Sequence, residues 1–378
     1  MFLADIVSML GNVVAAVALT VLVYEQTRSP ALAASVMALA FLPYLLGGVL
    51  LGAAADRLPA RRALVVCDLL SAALVAAMVL PGMPVAALLG LLFANGLLAP
   101  VYQGVRSAVL PDVLPPGPGY ILGRSMMRMV AQSAQIAGYG AGGLLLTVVS
   151  PRGALAFDAA SFLASAVLLR AGMARRPARH GRTGSMTGDS LRGIRRVLGY
   201  RPLRRLLLFG WLVPACAVAP EALAAPYASH IGQPVRVTGF LLMGIPAGTV
   251  LADLIAARLL PARSQRRLIV PAGLLTFVPL AGFAASPRLA LALALLVICG
   301  LGSAWGAGLD GLLISTAPEE LRGRALALSS AGLMFIQGAG FALWGIAGQY
   351  APVTAVIPAA AAAGILVVLL LRPGPART

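Results

Sequence analysis

A chain of 378 residues that is 60% hydrophobic and 11% charged is not an ordinary soluble protein, because soluble domains are about half apolar and about a quarter charged. Soluble cores also stop growing with chain length, so much of this apolar surface, with a mean hydropathy of +0.92, must face lipid. The formal net charge of +17 does not indicate a nucleic-acid partner, since the 29 basic residues are all arginines between apolar runs.

Apolar runs long enough to cross a bilayer recur along the chain. A hydrocarbon core of about 30 Å requires about 20 apolar residues per helix. The run from Met1 to Val23 is too long for the apolar region of a signal peptide and lacks a convincing cleavage site, so we interpret it as a first span. In all, we predict twelve spans, near residues 2–24, 31–54, 63–81, 84–106, 124–148, 153–171, 203–225, 237–257, 268–285, 289–313, 324–347 and 351–371.

Arginine is distributed unequally between the two sides of these predicted spans. When alternate joints are assigned to opposite sides, 25 arginines lie on one side and four on the other. The four are Arg28, Arg152, Arg236 and Arg288. Basic residues concentrate in cytoplasmic loops, so the pattern predicts a multi-pass protein of the cell membrane with both termini in the cytoplasm.

One long polar segment interrupts the series of spans. It divides the chain into a six-helix bundle at 1–171, a basic cytoplasmic linker at 172–202 and a second six-helix bundle at 203–378. Within the linker, Ser190–Tyr200 has the pattern of a basic amphipathic helix that would lie on the anionic inner leaflet of the bilayer, and a plain solvated connector is the alternative.

The joint after the second span carries a recognisable motif, which reads Gly52-Ala-Ala-Ala-Asp56-Arg57-Leu-Pro-Ala-Arg61-Arg62. It resembles the G-x-x-x-D-R-x-G-R-R signature of the major facilitator superfamily, with Pro59 or Ala60 in place of the second glycine. The resemblance implies an all-α membrane fold of two pseudo-symmetric bundles, with a latch that holds the halves together in the outward-open state. The implied latch residues are Gly52, Asp56, Arg57, Arg61, Arg62, Arg322 and Arg324.

Further motifs resemble the twelve-helix bacterial drug and natural-product exporters of that superfamily. They are Arg106-Ser-Ala-Val-Leu-Pro111-Asp112, Asp158-Ala-Ala-Ser161-Phe162 and Pro318-Glu-Glu-Leu-Arg322-Gly323-Arg324. The chain departs from these exporters in two places. The Gly-Pro pair of their fifth helix is Gly138-Tyr139 here, which weakens an inference of antiport, and the aspartate of their first helix is Asn12, which removes a titratable group.

Carboxylates inside apolar spans are costly, so each is a functional candidate. We favour Glu221 for proton coupling, because it lies in the outer half of the seventh span, between Pro220 and a helix break that we predict at Pro226-Tyr227. A carboxylate beside a broken helix can exchange a proton as water access alternates. The alternative is a water-exposed residue at the outer end of the span.

Other carboxylates in the spans have competing explanations. Asp310 and Asp158 are further candidates for proton coupling, although the motif around Asp158 favours helix packing. Asp68 is within reach of the joint that holds Arg61 and Arg62, so we interpret it as a structural partner of those arginines.

Substrate contacts are expected from polar and aromatic side chains near the membrane midplane. An unpaired amide in the middle of a span would be costly, so Asn95 and Gln337 are each expected to have a partner. Bonding between helices explains every candidate as well as ligand contact does. The candidates are Asn12, Tyr44, Asn95, Gln132, Gln135, Trp211, Trp305 and Gln337.

The leading hypothesis is a monomeric secondary transporter that exports hydrophobic or amphiphilic small molecules, with protons as the counter-ion. The alternative is an uptake carrier or facilitator on the same fold. A sensor would need an output domain, and the longest loop, 172–202, is too short for one. The histidines and cysteines do not cluster and no phosphate-binding loop is present, so we predict no enzyme activity, metal, cofactor or direct use of ATP.

Overall fold

The computed structural model describes residues 2–43, 46–47, 59–102, 105, 118–172, 195–259 and 262–372. Helices account for almost all of these residues, and no β-strand occurs among them, which confirms the predicted all-α fold. The α-helices are α1 (Phe2–Thr27), α2 (Pro30–Phe41), α3 (Ala60–Met78), α4 (Val85–Gly96), α5 (Pro118–Val148), α6 (Pro151–Gly172), α7 (Arg201–Ala217), α8 (Ala219–Ala222), α9 (Ala224–His230), α10 (Thr238–Leu259), α11 (Ala262–Arg267), α12 (Ile269–Phe277), α13 (Leu289–Leu301), α14 (Trp305–Thr316), α15 (Glu319–Tyr350) and α16 (Val353–Leu371).

Proline marks the start of many of these helices. Pro30 and Pro151 are first residues, a position where the missing N–H would have no partner within the helix. Pro84 and Pro352 directly precede the helices that follow them. The Ser29 hydroxyl caps α2 by accepting a hydrogen bond from the backbone N–H of Leu32 at 3.2 Å. Short joints therefore end one apolar run and begin the next.

Eight helical stretches in the described part of the chain are long and apolar enough to cross a membrane. They include α1, α6, α15 and α16, and two shorter apolar helices at Pro30–Phe41 and Ile269–Ala285 add to them. The predicted spans 63–81 and 124–148 fall on α3 and α5. Every predicted span overlaps a helix, which is consistent with twelve membrane crossings.

The seventh predicted span is divided into three helices, α7, α8 and α9, with interruptions at Val218 and Leu223. The predicted break at Pro226-Tyr227 is wrong in position, because both residues lie inside α9. Proline has no N–H to donate to the carbonyl four residues before it. Pro220 and Pro226 therefore cannot donate to the carbonyls of Cys216 and Ala222, and the interruptions at Val218 and Leu223 lie between those carbonyls and the prolines.

The chain forms two compact units. The first unit is Met1–Arg182 with Pro234–Met243, and the second is Thr183–Gln233 with Gly244–Thr378. In the first unit, α1 packs along α5 and α6, and α3 packs along α6. Its core holds buried side chains such as Leu19, Val36, Met78 and Leu155. Residues 173–194 of the predicted linker lie outside the described ranges.

Glycines let two helices of the second unit touch through their backbones. A Cβ atom added to Gly248 on α10 would lie 2.0 Å from the Val297 carbonyl oxygen on α13. A Cβ atom added to Gly300 on α13 would lie 2.1 Å from the Ile245 carbonyl oxygen on α10. Small residues at such crossings are a common means of packing helices in lipid.

Candidate functional site

A cavity of about 390 Å³ lies in the first unit, among α1, α2, α3, α4 and α6. Ligand pockets have volumes of about 300–1,000 Å³, so it has room for a small organic molecule. Most of its wall is apolar, and the described residues that line it include no arginine or histidine. Polar side chains also line it, namely Ser8, Asn12, Asp68, Ser71, Asn95 and Tyr102.

Helical periodicity brings these polar groups together. Ser8 and Asn12 are four residues apart on α1, and Asp68 and Ser71 are three apart on α3, so each pair lies on one helix face. Asn95 joins them from the end of α4. Exposure falls from Asn12, which is exposed, to Asp68, which is 1% exposed. The Asp68 carboxylate is therefore the least exposed of the polar groups that line the cavity.

Asn95 has a buried side-chain oxygen at the wall of this cavity. Its Oδ1 atom is buried and accepts no hydrogen bond from the residues that the structure describes, so those residues supply no partner for the oxygen of this amide. A buried acceptor without a donor is costly, and a ligand or water in the cavity would relieve the cost. Of the predicted substrate contacts whose side chains the structure describes, Asn12 and Asn95 line this cavity.

Asp68 was not among the residues predicted to contact substrate. Two helical turns separate it from Arg61, and this spacing favours an ion pair as the simpler interpretation. The structure places Asp68 in the cavity wall, whereas Arg61 is not among the lining residues and Arg62 is exposed. The signal that sequence analysis could have used is the pair Asp68 and Ser71 on one face of an otherwise apolar helix.

Asp158 lies at the contact between α6 and α1. Its side chain is 0% exposed, and the Ser161 hydroxyl lies 3.2 Å from Asp158 Oδ1 and 2.8 Å from the Asp158 carbonyl oxygen. A Cβ atom added to Gly11 would lie 2.1 Å from Ser161 Oγ. This close contact supports a packing role for Asp158, and its role in proton coupling stays a prediction.

Glu221 and Asp310 belong to the second unit. Glu221 lies in the four-residue helix α8, where it is half-buried next to the buried residues Pro220 and Ala222. It is close enough to the buried Cys299 on α13 to interact with it electrostatically. Asp310 on α14 is exposed and has a polar or electrostatic contact in the protein.

The tryptophan candidates of the second unit take part in packing. The Trp211 indole N–H donates to the Ser329 carbonyl oxygen at 3.0 Å, and the Trp305 ring packs edge-on against Phe209 with centroids 5.5 Å apart. Gln337 is half-buried on α15.

The remaining predicted contacts and latch residues are described only in part. In the first unit, the Gln135 amide donates to the Tyr139 hydroxyl at 3.4 Å. Arg62, Arg322 and Arg324 are exposed, and Arg61 is half-buried. Tyr44, Gly52, Asp56, Arg57 and the Gln132 side chain lie outside the described residues.

Comparison with known proteins gives a consistent result. The family model described as Major Facilitator Superfamily matches residues 1–308. The multidrug efflux pump Tap of Mycolicibacterium fortuitum is 30% identical over 332 residues, which cover 84% of this chain and 80% of Tap.

Solved structures share the fold. The nucleoside transporter NupG has a TM-score of 0.73 at 14% identity, covering 97% of this chain and 97% of its own. The xylose transporter XylE from E. coli, in an inward-open conformation, has a TM-score of 0.70 at 15% identity, covering 99% of this chain and 96% of its own. The family model spans most of the chain, and the architecture agrees with it, so this protein belongs to the major facilitator superfamily of membrane transporters.

Proposed function

We propose that this transporter exports hydrophobic or amphiphilic small molecules across the cell membrane by alternating access. The observation that carries the proposal is the similarity to the multidrug efflux pump Tap, at 30% identity over 84% of the chain. The cavity of the first unit supports it, because its wall is mostly apolar with a few polar groups, one of which is the Asp68 carboxyl group. Solved neighbours that share the fold include a nucleoside transporter and a xylose transporter, so the fold alone does not fix the substrate or the direction.

The energy source in this proposal is proton antiport, with Glu221 as the carrier. Glu221 lies in a short helix between two interruptions of the seventh span, and such interruptions allow water to approach a buried side chain. A carboxylate at membrane depth is costly when charged, so proton binding and release accompany changes in its access to water. Asp310 and Asp158 are the alternative carriers.

Proton movement by the purified protein in liposomes tests this proposal. A panel of hydrophobic drugs is added to vesicles that contain a pH-sensitive dye, and the wild type is compared with Glu221→Gln. Asp253→Asn serves as the matched control, since Asp253 is a half-buried carboxylate of the same unit. We expect drug-dependent proton movement that Glu221→Gln abolishes and Asp253→Asn retains.

The other outcomes are equally informative. Drug-dependent proton movement that persists in Glu221→Gln would support antiport with Asp310 or Asp158, and not Glu221, as the proton carrier. Drug transport without proton movement would show a facilitator. In cells, export predicts that expression lowers drug accumulation and that a protonophore removes the effect, whereas an uptake carrier would raise accumulation.

A further inference from the structure

Exposed arginines surround the start of α7 in the second unit. The sequence has no aspartate or glutamate between Ser190 and Pro220 to balance their charge. Within the residues that the structure describes, these arginine side chains form no ion pair and no hydrogen bond. They therefore form a positive surface without a counter-charge in the described protein. This surface, the α7 arginine patch, consists of Arg195, Arg196, Arg201, Arg204 and Arg205.

Buried apolar side chains hold the patch on the second unit. Val197, in a helical turn at 195–199, and Leu203, in the first turn of α7, are each 0% exposed. The Tyr200 N–H donates to the Val197 carbonyl oxygen at 3.3 Å, and the Arg204 N–H donates to the Tyr200 carbonyl oxygen at 3.0 Å. These bonds join the turn to α7, so an ordered backbone presents the arginines. An ordered surface loses less conformational entropy when it binds a partner.

The patch lies where a membrane crossing begins. Arg201–Ala222 is one of the stretches long and apolar enough to cross a membrane, so the first residues of α7 are expected at the depth of the lipid head groups. Tyr200 is 43% exposed, and tyrosine is enriched at this interface. Clusters of about four to eight basic residues directly before a membrane span are typical binding surfaces for anionic lipids.

Other exposed arginines of the second unit differ from the patch. At the start of α15, Arg322 and Arg324 follow Glu319 and Glu320, so the formal charges of this segment sum to zero. Arg266 on α11 has a partner in the protein, because its Nη2 atom donates to Ser315 Oγ at 3.1 Å. The α7 arginine patch has neither kind of compensation among the described residues.

We propose that the α7 arginine patch binds the phosphate groups of anionic phospholipids in the leaflet that faces the cytoplasm. Guanidinium groups donate paired N–H groups to phosphate oxygens, which gives a directional contact in addition to charge attraction. The competing explanation is that these arginines only set the orientation of the chain during insertion, which requires charge but no bound lipid. The proposal goes beyond the proposed export and depends neither on the substrate nor on the proton carrier.

Native mass spectrometry measures lipid binding directly. The purified, delipidated protein in detergent is titrated with phosphatidylglycerol, and with phosphatidylcholine of the same acyl chains as the neutral lipid. The variant combines Arg195→Gln, Arg196→Gln, Arg201→Gln, Arg204→Gln and Arg205→Gln. Each basic residue near an anionic surface strengthens binding about fivefold, so we expect the Kd for phosphatidylglycerol to rise about tenfold or more. The Kd for phosphatidylcholine should stay unchanged.

The matched control replaces the same five arginines by lysine. It keeps the charge, and with it the orientation signal, and should retain the preference for phosphatidylglycerol. Loss of this preference in both the glutamine and the lysine variant would be explained by damage to the fold, so a measurement on the wild type decides that case.

Hydrogen–deuterium exchange of the wild-type protein in lipid nanodiscs is that measurement. We expect the backbone amides of residues 195–205 to exchange more slowly in phosphatidylglycerol than in phosphatidylcholine. The segment around Arg288, where the sequence has a single arginine, should exchange at the same rate in both lipids.

Three outcomes would overturn the proposal. Equal affinity for phosphatidylglycerol in the wild type and the glutamine variant would mean that the patch acts only in insertion. Equal exchange of residues 195–205 in the two lipids would mean that no lipid covers them. Displacement of phosphatidylglycerol by an equal concentration of glycerol 3-phosphate would mean that the patch binds soluble phosphates. Drug and proton movement are measured separately, so a failure of export would leave these binding results valid.

Discussion

Gly11 lies at a crossing where the first helix touches the sixth. A Cβ atom at this position would lie 2.1 Å from Ser161 Oγ and 2.6 Å from Asp158 Oδ1. Both groups are buried, so neither can move into free space. The crossing therefore depends on a residue without a side chain. On α6, the residues at the crossing belong to the motif from Asp158 to Phe162.

We expect Gly11→Ala to destabilise the protein by about 1–3 kcal/mol, as overpacking of a close contact does. The measurement is the thermal unfolding midpoint of the purified protein in detergent. Gly90→Ala is the matched control, because a Cβ atom at this helical glycine would meet no atom within 4 Å. Alanine favours a helix over glycine, so the control should keep or slightly raise the midpoint. Equal midpoints for the two variants would mean that α1 can shift away from α6 at little cost.

The candidate site shows how far single residues can be predicted from sequence. Asn12 and Asn95 were predictable, because an amide within an apolar span is conspicuous and implies either a partner or a ligand. Asp68 was assigned to an arginine of the preceding loop, since two helical turns are a plausible distance for an ion pair. The cavity arises from the packing of five helices, and one sequence contains no information on which faces meet.

At the scale of elements, tryptophan joins α7 to α15 in the second unit. The Trp344 indole N–H donates to the Ala215 carbonyl oxygen at 2.7 Å. Ala215 lies in the last turn of α7, where backbone carbonyls lack partners within the helix. Gly340 makes the approach possible, because a Cβ atom there would lie 2.6 Å from the same oxygen. The indole therefore satisfies an acceptor that the interruption at Val218 leaves open.

Trp344→Phe should lower the free energy of unfolding by about 1–3 kcal/mol, because it leaves this carbonyl without its donor. Urea or thermal unfolding of the purified protein would measure the change. Trp305→Phe is the control, since a phenyl ring keeps the edge-on contact with Phe209. If Trp305→Phe lowered the free energy of unfolding as much as Trp344→Phe, the loss would come from the smaller ring and not from the missing hydrogen bond.

The elements themselves were largely predictable. Every predicted span overlaps a helix, since lipid requires backbone hydrogen bonds to be satisfied within each segment and apolar runs of sufficient length therefore become helices. Three spans are not continuous α-helices. The ninth and tenth contain 3-10 segments at Val278–Ala285 and Gly302–Ala304, and the interruptions of the seventh, at Val218 and Leu223, precede Pro220 and Pro226. A proline affects the carbonyl before it, so its position in the sequence and the position of the break differ.

At the scale of the whole molecule, the charge pattern carries information that the helices do not. The fold is shared with transporters of nucleosides and xylose, so it does not determine which way the protein faces or which way its substrate moves. The excess of arginine on one side of the predicted spans, 25 against four, does bear on orientation. Moving so many basic residues across the membrane during insertion is unfavourable, which predicts cytoplasmic termini.

Reporter fusions measure this orientation in cells. Green fluorescent protein fused after Thr378 should fluoresce, and alkaline phosphatase fused there should be inactive, since the first folds in the cytoplasm and the second outside it. Fusion after Gly232, in the turn that follows α9, should give the reverse result, because Arg236 beside it is one of the four arginines predicted on the outer side. The paired fusions control for expression, as each site has one active reporter. The opposite pattern at both sites would mean that the protein has the inverse orientation in the membrane. The same reporter active at both sites would mean that the number of spans between them is even.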